Sequence, residues 1–368
     1  MKTSAFLFRA AFAAGVSLGA VVASSAAATN CVGDAACEWI DMSTQPVGGR
    51  GSFSAEEPFM RLANPLREKA PSASVRAMAR QSTGLNFRFR TTSRRLVVHY
   101  EIEPRAWTDP LMSPSALQSV SVWGRWKGNA DWEYVGKNHP KADGVNEYAL
   151  SWSPEREGWM YFPTRAVVKS FKVGIDRGAT FEVLGYPRPE RVVVYGTSIV
   201  HGGCVSSGGM MFTSFAGRRV GCEIVNLGFS GGGRMELEMV DVLAEIEAGL
   251  YVIDCDWNMK VEMQKERYEP FVRRLRARRP GVPILLCGGC TEKAAPMKQE
   301  TFARSVYDRL KAEDPVLWRD LHFLSGVDAL PKCSWATHDH CHPNDYGAPF
   351  MGEVYARRIR EILDAARK

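Results

Sequence analysis

A hydroxyl, an imidazole and a carboxylate occur in this sequence at spacings that suit nucleophilic catalysis. Ser198 follows the apolar run at 192–195 after a short turn, so a strand is expected to deliver its hydroxyl to the edge of a sheet. Near the other end of the chain, Asp339 precedes His342 by three residues. A serine can attack an ester carbonyl when a histidine takes its proton and a carboxylate orients that histidine. The residue types therefore suit acyl transfer, with Ser198, His342 and Asp339 as the catalytic group.

Acyl transfer also needs hydrogen-bond donors for the oxyanion that develops on the carbonyl oxygen. Two further segments offer such donors, and each of them follows a predicted strand. We expect the backbone N–H groups of Ser198 and Gly228 and the side-chain amide of Asn258 to form this oxyanion hole. His201, three residues after the nucleophile, is predicted to line the pocket and touch substrate, with a position on the surface as the alternative.

The histidines near the end of the chain allow a competing interpretation as a metal site. In the segment "HDHCH", His338, His340 and His342 alternate, so they could bind zinc from one side of an extended chain. The spacing of three between Asp339 and His342 suits a tight turn better than a strand. We therefore predict that these residues hold no metal and that the protein uses no cofactor.

The elements that must position these residues change in type part-way along the chain. Residues 84–186 contain short runs of aromatic and β-branched residues between turn residues, which is typical of an antiparallel β-sandwich. From Arg191 onward strands and helices alternate, which predicts a parallel sheet with helices on both faces. Ligands bind such sheets at the carboxyl ends of the strands, where all the candidate residues should meet.

The pattern of the second half predicts both strands and helices. The predicted strands are at 192–195, 223–227, 250–255, 282–287 and 321–324. The predicted helices are at 210–219, 235–247, 265–279, 298–313 and 346–367.

Four short blocks, in this order along the chain, resemble a known family. The blocks are "YGTSIVHGG", "NLGFSGGGRME", "LYVIDCDWNM" and "HPNDYG". They look like the SGNH (GDSL-like) hydrolases, and more narrowly like the bacterial subfamily that carries a β-sandwich domain ahead of the hydrolase. The resemblance implies a three-layer αβα, flavodoxin-like domain with a parallel sheet. It assigns catalytic roles to the residues Ser198, Gly228, Asn258, Asp339 and His342.

Two blocks depart from the family pattern. The first has Gly-Thr-Ser-Ile in place of Gly-Asp-Ser-Leu, but the serine keeps its place. The third reads "DWNM" in place of Gly-x-Asn-Asp, which alters the neighbours of Asn258. The α/β-hydrolase fold is disfavoured, because its G-x-S-x-G motif needs a glycine where this chain has Val200.

The N-terminus predicts export of the protein. Lys2 and Arg9 come before an apolar stretch that runs to about Val22 and that small residues follow, which is the layout of a secretory signal peptide. We expect a signal peptide at 1–28, a β-sandwich domain at 29–186 and a hydrolase domain at 187–368. The mature protein is then secreted or periplasmic, without stable insertion in a membrane.

The number of cysteines and the net charge bear on disulfide formation and on nucleic-acid binding. Nine cysteines in an exported chain predict disulfides, and proximity names two pairs, Cys31 with Cys37 and Cys333 with Cys341. The formal net charge is only +6 over 368 residues, which gives no reason to expect a nucleic-acid partner.

These observations predict a secreted serine esterase that removes small acyl groups, acetyl first among them, from a carbohydrate. The ester chemistry follows from the site residues, and the sugar follows from the resemblance and from export. One alternative is a lipase, phospholipase or thioesterase with the same triad. Another is a non-catalytic glycan-binding protein on the same scaffold, against which the presence of Ser198, Asp339 and His342 argues.

Overall fold

A computed structural model describes residues 37–104 and 109–367 of the chain. The expected signal peptide at 1–28 and Cys31 lie outside the described residues. Among the helices that are described, none combines the length and the apolar composition needed to cross a membrane.

The N-terminal region contains two antiparallel sheets, so the predicted β-sandwich is confirmed. Its strands are β1 (Cys37–Asp41), β2 (Asn86–Thr91), β3 (Arg95–Ile102), β4 (Ser121–Trp126), β5 (Glu133–Lys137), β6 (Val145–Ser151), β7 (Arg156–Tyr161), β8 (Val168–Asp176) and β9 (Phe181–Leu184). The strand orders are β1-β8-β3-β6 and β5-β4-β7-β2-β9. Phenylalanines 87, 89, 162 and 171 are fully buried in its core, where they contact one another edge to face or tilted. Two short helices, α1 (Ala73–Ala79) and α2 (Pro114–Gln118), interrupt the strands.

The C-terminal region is the predicted parallel α/β fold. Its strands are β10 (Arg191–Gly196), β11 (Glu223–Gly228), β12 (Leu250–Asp254), β13 (Ile284–Cys287) and β14 (Leu321–Leu324). Its helices are α3 (Phe212–Val220), α4 (Leu237–Ala244), α5 (Val261–Arg278), α6 (Lys298–Glu313) and α7 (Gly347–Ala366). The strand order β11-β10-β12-β13-β14 is the flavodoxin-like order, in which the direction of winding changes beside the first strand.

Helices cover both faces of this sheet, which explains why its strands are continuously apolar. Alternate side chains of a strand point to opposite faces. In β10, Val193 and Tyr195 join the apolar cluster that contains residues of α4, α5 and α6, whereas Val192 and Val194 join the cluster of α3 and α7. The sheet is therefore the middle layer of a three-layer αβα arrangement, as predicted.

The described cysteines are all free thiols. The expected disulfide between Cys333 and Cys341 is therefore not formed. Cys341 is half-buried and packs instead against the apolar cluster of α3 and α7. The other expected pair cannot be assessed, because Cys31 lies outside the described residues.

Candidate active site

The strands of the parallel sheet bring the candidate residues to one edge. Gly196, the last residue of β10, pairs with Gly228 at the end of β11 and with Asp254 at the end of β12. The segments that carry Ser198 and Asn258 follow these strand ends directly, so they leave the sheet side by side. This is the carboxyl edge, where parallel α/β sheets bind their ligands.

Ser198, His342 and Asp339 form a continuous chain of hydrogen bonds. The Oγ atom of Ser198 lies 2.7 Å from Nε2 of His342, and Nδ1 of His342 lies 2.8 Å from Oδ2 of Asp339. A carboxylate can only accept, so Nδ1 carries the proton and Nε2 is free to accept from the serine hydroxyl. The imidazole is thus in the tautomer that a general base needs. Ser198 and His342 are partly exposed, which leaves them open to a substrate.

The loop that carries Asp339 and His342 is a tight turn, as the spacing predicts. A bridge between Thr337 and Pro343 closes the loop, and the His338 N–H donates to the His342 carbonyl at 2.9 Å. Oδ1 of Asp339 accepts the backbone N–H of His342 at 2.8 Å. The carboxylate therefore fixes the backbone of His342 with one oxygen and its ring with the other.

These bonds also set the charge of Asp339. Partial burial by itself raises the pKa of this carboxyl group. The hydrogen bonds from the backbone and the ring of His342, with its nearby positive charge when protonated, outweigh burial and hold the pKa of Asp339 below its ordinary value. Asp339 is thus kept ionised and able to stabilise a positive imidazole.

The turn after β10 is fixed by its own backbone. The His201 N–H donates to the Thr197 carbonyl at 3.0 Å, and the Gly203 N–H donates to the Ser198 carbonyl at 2.8 Å. The Ser206 N–H donates to Oδ1 of Asp345 at 2.8 Å, which connects this turn to the segment after His342. The candidate nucleophile and the candidate base therefore lie on two loops that are bonded to each other.

Gly228 does not offer its N–H to a substrate, contrary to the prediction. This N–H donates to the side-chain Oδ1 of Asn226 at 3.0 Å, and the residue is buried. A Cβ atom at Gly228 would lie 2.1 Å from the His201 nitrogen and 2.5 Å from the Val200 carbonyl carbon. The glycine is required because the backbone of the Ser198 turn approaches it closely. Since its N–H is already bonded, another group must be the second backbone donor to an oxyanion.

Gly231, three residues further on, is a candidate oxyanion donor that the sequence analysis did not identify. This N–H donates to no described residue, and the residue is exposed. Its neighbours are fixed at the site, because the Phe229 N–H donates to the Gly196 carbonyl at 2.9 Å and the Asn258 amide donates to the Gly232 carbonyl. The run of three glycines after Ser230 was the available sequence signal, since such a run lets backbone N–H groups face a ligand.

The side chain of Asn258 lies at the edge where it was predicted. It belongs to a short 3-10 turn after β12 and is partly exposed. One N–H of its amide donates to the Gly232 carbonyl, and the second N–H remains as a donor. The Ser198 N–H likewise donates to no described residue.

His201 does not line the pocket, and neither predicted position for it is correct. Its side chain has no exposed surface. Its Nδ1 accepts the Ser230 N–H at 3.2 Å, and its Nε2 lies 3.1 Å from the hydroxyl of Thr83 in the N-terminal region. His201 therefore connects the two regions of the chain behind the site.

The predicted zinc alternative is not the arrangement that the structure shows. Among the described residues, potential metal donors converge at Asp339, Cys341 and His342, whose ligand atoms lie within 4.8 Å of one another. Nδ1 of His340 instead lies 2.6 Å from Oε1 of Glu292. Two of the three converging groups are already bonded to each other as base and orienting carboxylate.

The family of the chain follows from two matches that cover most of the described residues. Residues 189–360 match the model of the GDSL-like lipase/acylhydrolase family. Residues 37–181 match the model for the N-terminus of SGNH hydrolase-type esterases. The chain belongs to the SGNH (GDSL-like) hydrolase family. The predicted subfamily, with an N-terminal sandwich, is thereby confirmed.

Solved structures share this architecture along most of the chain. A protein from Bacteroides ovatus described as a GDSL-like lipase is 25% identical, with a TM-score of 0.76, and the match covers 89% of this chain and 98% of that chain. The salicylyl-acyltransferase SsfX3 from a tetracycline biosynthetic pathway is 18% identical, with a TM-score of 0.68 and coverage of 89% and 97%. A family two carbohydrate esterase from Cellvibrio japonicus is 11% identical, with a TM-score of 0.57 and coverage of 89% and 98%. No curated protein matches the sequence. The acyltransferase and the carbohydrate esterase, which are 18% and 11% identical to this chain, show only that the fold is shared.

Proposed function

We propose that this SGNH hydrolase is a serine esterase that releases small acyl groups, acetyl first among them, from a carbohydrate. The observation that carries the proposal is the chain of hydrogen bonds from Ser198 through His342 to Asp339, with distances of 2.7 and 2.8 Å. A glycan-binding protein would have no use for a base aligned on a hydroxyl in this way.

The reaction follows from the positions of these groups. His342 takes the hydroxyl proton as the oxygen of Ser198 attacks the ester carbonyl, and it returns that proton to the leaving sugar alcohol. Water then attacks the acyl-serine with the same base and releases the acid. The N–H groups of Ser198 and Gly231 and the second amide N–H of Asn258 would stabilise the oxyanion in both steps.

Two exposed aromatic residues support a carbohydrate substrate. Trp335 and Tyr346 are 67% and 54% exposed, and they flank the loop that carries Asp339 and His342. The Asn344 amide donates to the Trp335 carbonyl at 2.7 Å, which holds that backbone in place. Exposed aromatic rings beside a catalytic loop suit stacking on the apolar faces of sugar rings. The carbohydrate esterase with this fold is consistent with that class of substrate.

Export remains part of the proposal. The basic and apolar pattern of residues 1–28 supports a secretory signal, and acetylated polysaccharides are too large to enter a cell intact. We therefore place the mature enzyme in the periplasm or outside the cell.

The experiment is a comparison of the wild type with Ser198→Ala on p-nitrophenyl esters from acetyl to palmitoyl and on acetylated glycans. We expect the wild type to prefer acetyl esters, the variant to have lost hydrolysis with an unchanged melting temperature, and a serine-directed phosphonate to label Ser198. Asn129→Ala, a substitution at an exposed residue of the N-terminal region, is the control. An adduct on another residue, or full activity of the alanine variant, would show the nucleophile to be wrong. A preference for palmitoyl would favour the lipase alternative.

A further inference from the structure

Strand β11 lies at the edge of the parallel sheet, so half of its backbone groups lack a partner strand. The Phe229 N–H points to β10, where it reaches the Gly196 carbonyl at 2.9 Å. Backbone groups alternate along a strand, so the carbonyls of Asn226 and Gly228 point away from the sheet. Buried carbonyls in that position need a donor from another part of the chain.

Arg61, from the N-terminal region, supplies these donors. Its Nη1 donates to the Gly228 carbonyl at 2.8 Å and to the Asn226 carbonyl at 3.2 Å. Its guanidinium carbon also lies 5.0 Å from the centre of the Phe229 ring. One side chain thus contacts three of the four residues from Asn226 to Phe229, directly before the glycine run of the site.

The other side of the guanidinium is anchored in the N-terminal region itself. The Nη2 atom donates to the Met78 carbonyl at 2.6 Å, and Nε donates to the Gln81 carbonyl at 3.2 Å. Arg61 is therefore a rigid connection between the end of α1 and the end of β11. Its planar fork of donors suits this task, because a lysine could satisfy fewer of these acceptors.

The charge of Arg61 has no acidic partner among the described residues within ion-pair distance. Its side chain has no exposed surface. Burial, together with the nearby positive charge of Arg165, lowers the pKa of Arg61 to about 9, so the group is still protonated at neutral pH. A buried charge without a counter-ion is costly, and the carbonyl dipoles and the face of the Phe229 ring offset that cost here.

A second contact holds the same loop from the same side. The Ser230 N–H donates to Nδ1 of His201, and the opposite ring nitrogen of His201 lies 3.1 Å from the Thr83 hydroxyl. Nη2 of Arg61 lies 3.4 Å from that ring nitrogen. Residues 226–230 are thus held by two side chains in contact with each other, and both are bonded to the N-terminal region.

We propose that Arg61 is a positioning residue of the esterase site: it fixes the end of β11 so that the N–H of Gly231 faces the oxyanion, and it places a positive charge behind that loop. This inference rests on the proposed function. It means that the N-terminal region completes the catalytic centre of the hydrolase region.

Arg67 provides a matched control for this proposal. It is also a buried arginine of the N-terminal region, but it pairs with Glu57 at 2.8 Å and donates to the Leu62 carbonyl rather than to β11. Replacing either arginine removes a buried cation, but only replacement of Arg61 frees the catalytic loop.

The experiment compares Arg61→Met, Arg61→Lys and Arg67→Met with the wild type, using p-nitrophenyl acetate kinetics and hydrogen exchange of the 226–233 backbone. We expect Arg61→Met to lower kcat by about tenfold or more, to leave KM within about threefold, and to speed exchange of 226–233. Arg61→Lys should recover part of kcat, because it keeps the charge and some of the bonds. Arg67→Met should keep the wild-type kcat and exchange, with at most a lower melting temperature.

Wild-type kcat in Arg61→Met, measured well below its melting temperature, would overturn the proposal. If Arg61→Met does not fold, Arg61→Lys decides: a wild-type kcat despite faster exchange of the loop shows that Arg61 serves stability alone. An inactive wild type would contradict the proposed function instead. In that case unchanged loop exchange in the Arg61 variants overturns the inference, and faster exchange supports the positioning of the loop.

Discussion

Asn258 is the proposed oxyanion donor whose sequence block departs most from the family pattern. Its amide has two N–H groups, and one of them already donates to the Gly232 carbonyl. The side chain therefore holds the glycine run in place, and in the proposed mechanism its second N–H would donate to the substrate. These two functions have different consequences when the side chain is removed.

We predict that Asn258→Ala lowers kcat by about a hundredfold or more and leaves KM close to its original value, since the lost bond strengthens only in the transition state. Loss of the bond to Gly232 should also lower the melting temperature slightly. Kinetics and thermal unfolding of one sample measure both effects. A kcat within about a factor of three of wild type would remove Asn258 from the oxyanion hole.

Single residues were predictable from sequence where their chemistry is decided by residue type and local spacing. The proximity of Asp339 to His342 follows from a three-residue turn, and the structure shows that turn. The buried position of His201 was not predictable, because it depends on Thr83, which lies more than a hundred positions away in the chain. Arg61 was missed for the same reason, since the carbonyls of β11 that it contacts lie in another region.

At the scale of elements, the loop after β11 contains glycines with different requirements. Gly228 has no room for a side chain, because a Cβ atom would lie 2.1 Å from a backbone nitrogen of the Ser198 turn. Gly231 has open space around it but a φ angle of +70°, a left-handed conformation that costs other residues energy. The first glycine is required by packing and the second by backbone conformation.

Gly228→Ala should therefore be much more damaging than Gly231→Ala. The Cβ at 228 must push the backbone at 200–201, which displaces Ser198, so we expect a loss of about a hundredfold in kcat together with a lower melting temperature. Gly231→Ala keeps its N–H and should cost roughly 1 to 2 kcal/mol of stability with a small change in kcat. Circular dichroism melts and p-nitrophenyl acetate kinetics measure both variants. Equal effects of the two substitutions would contradict this account of the loop.

The elements themselves were predicted closely, because their signals are local. The helix expected at 298–313 is α6 with the same bounds, and the strand expected at 321–324 is β14. The ends that shifted lack such signals: α5 begins at Val261 instead of 265, since the apolar residues of its first turn, Val261 and Met263, are two positions apart and do not show helical periodicity. Local sequence patterns do not predict how the N-terminal region packs against β11, the edge strand of the parallel sheet.

At the scale of the whole molecule, the parallel sheet below the candidate site contains a buried ionisable group at the end of its middle strand. Asp254, the last residue of β12, is 1% exposed and lies opposite Gly196 in the sheet register. Burial raises the pKa of this carboxyl group to about 7, although the bond from the Tyr355 hydroxyl at 2.8 Å lowers it in part. The folded protein thus holds a proton that the unfolded chain releases near pH 4.

This difference makes the stability of the protein depend on pH. The stabilisation from protonated Asp254 is fully present below about pH 4, where both states are protonated, and is lost as the pH rises through about 7. His322 acts in the opposite direction: burial lowers its pKa to about 4, so its contribution is lost as the pH falls below about 6.5. Other buried acids contribute as well, because burial raises the pKa of Asp256 and of Glu300. The contribution of Asp254 must therefore be isolated by comparing the wild type with a variant.

Asp254→Asn removes the contribution of Asp254, because an amide keeps the shape of the acid without its charge. We predict that the variant gains stability relative to wild type as the pH rises from about 4 to about 7, by on the order of a few kcal/mol, and that the difference stays constant above that range. Urea unfolding at intervals of half a pH unit measures the difference in the free energy of unfolding. The contribution of His322 is the same in both proteins, so it cancels in this difference. Asp143→Asn, at an exposed turn, is the control and should show no such trend. A difference between Asp254→Asn and wild type that is flat from pH 4 to 8 would mean that Asp254 is ionised in the folded protein, and the sheet would then carry a buried negative charge beneath the nucleophile.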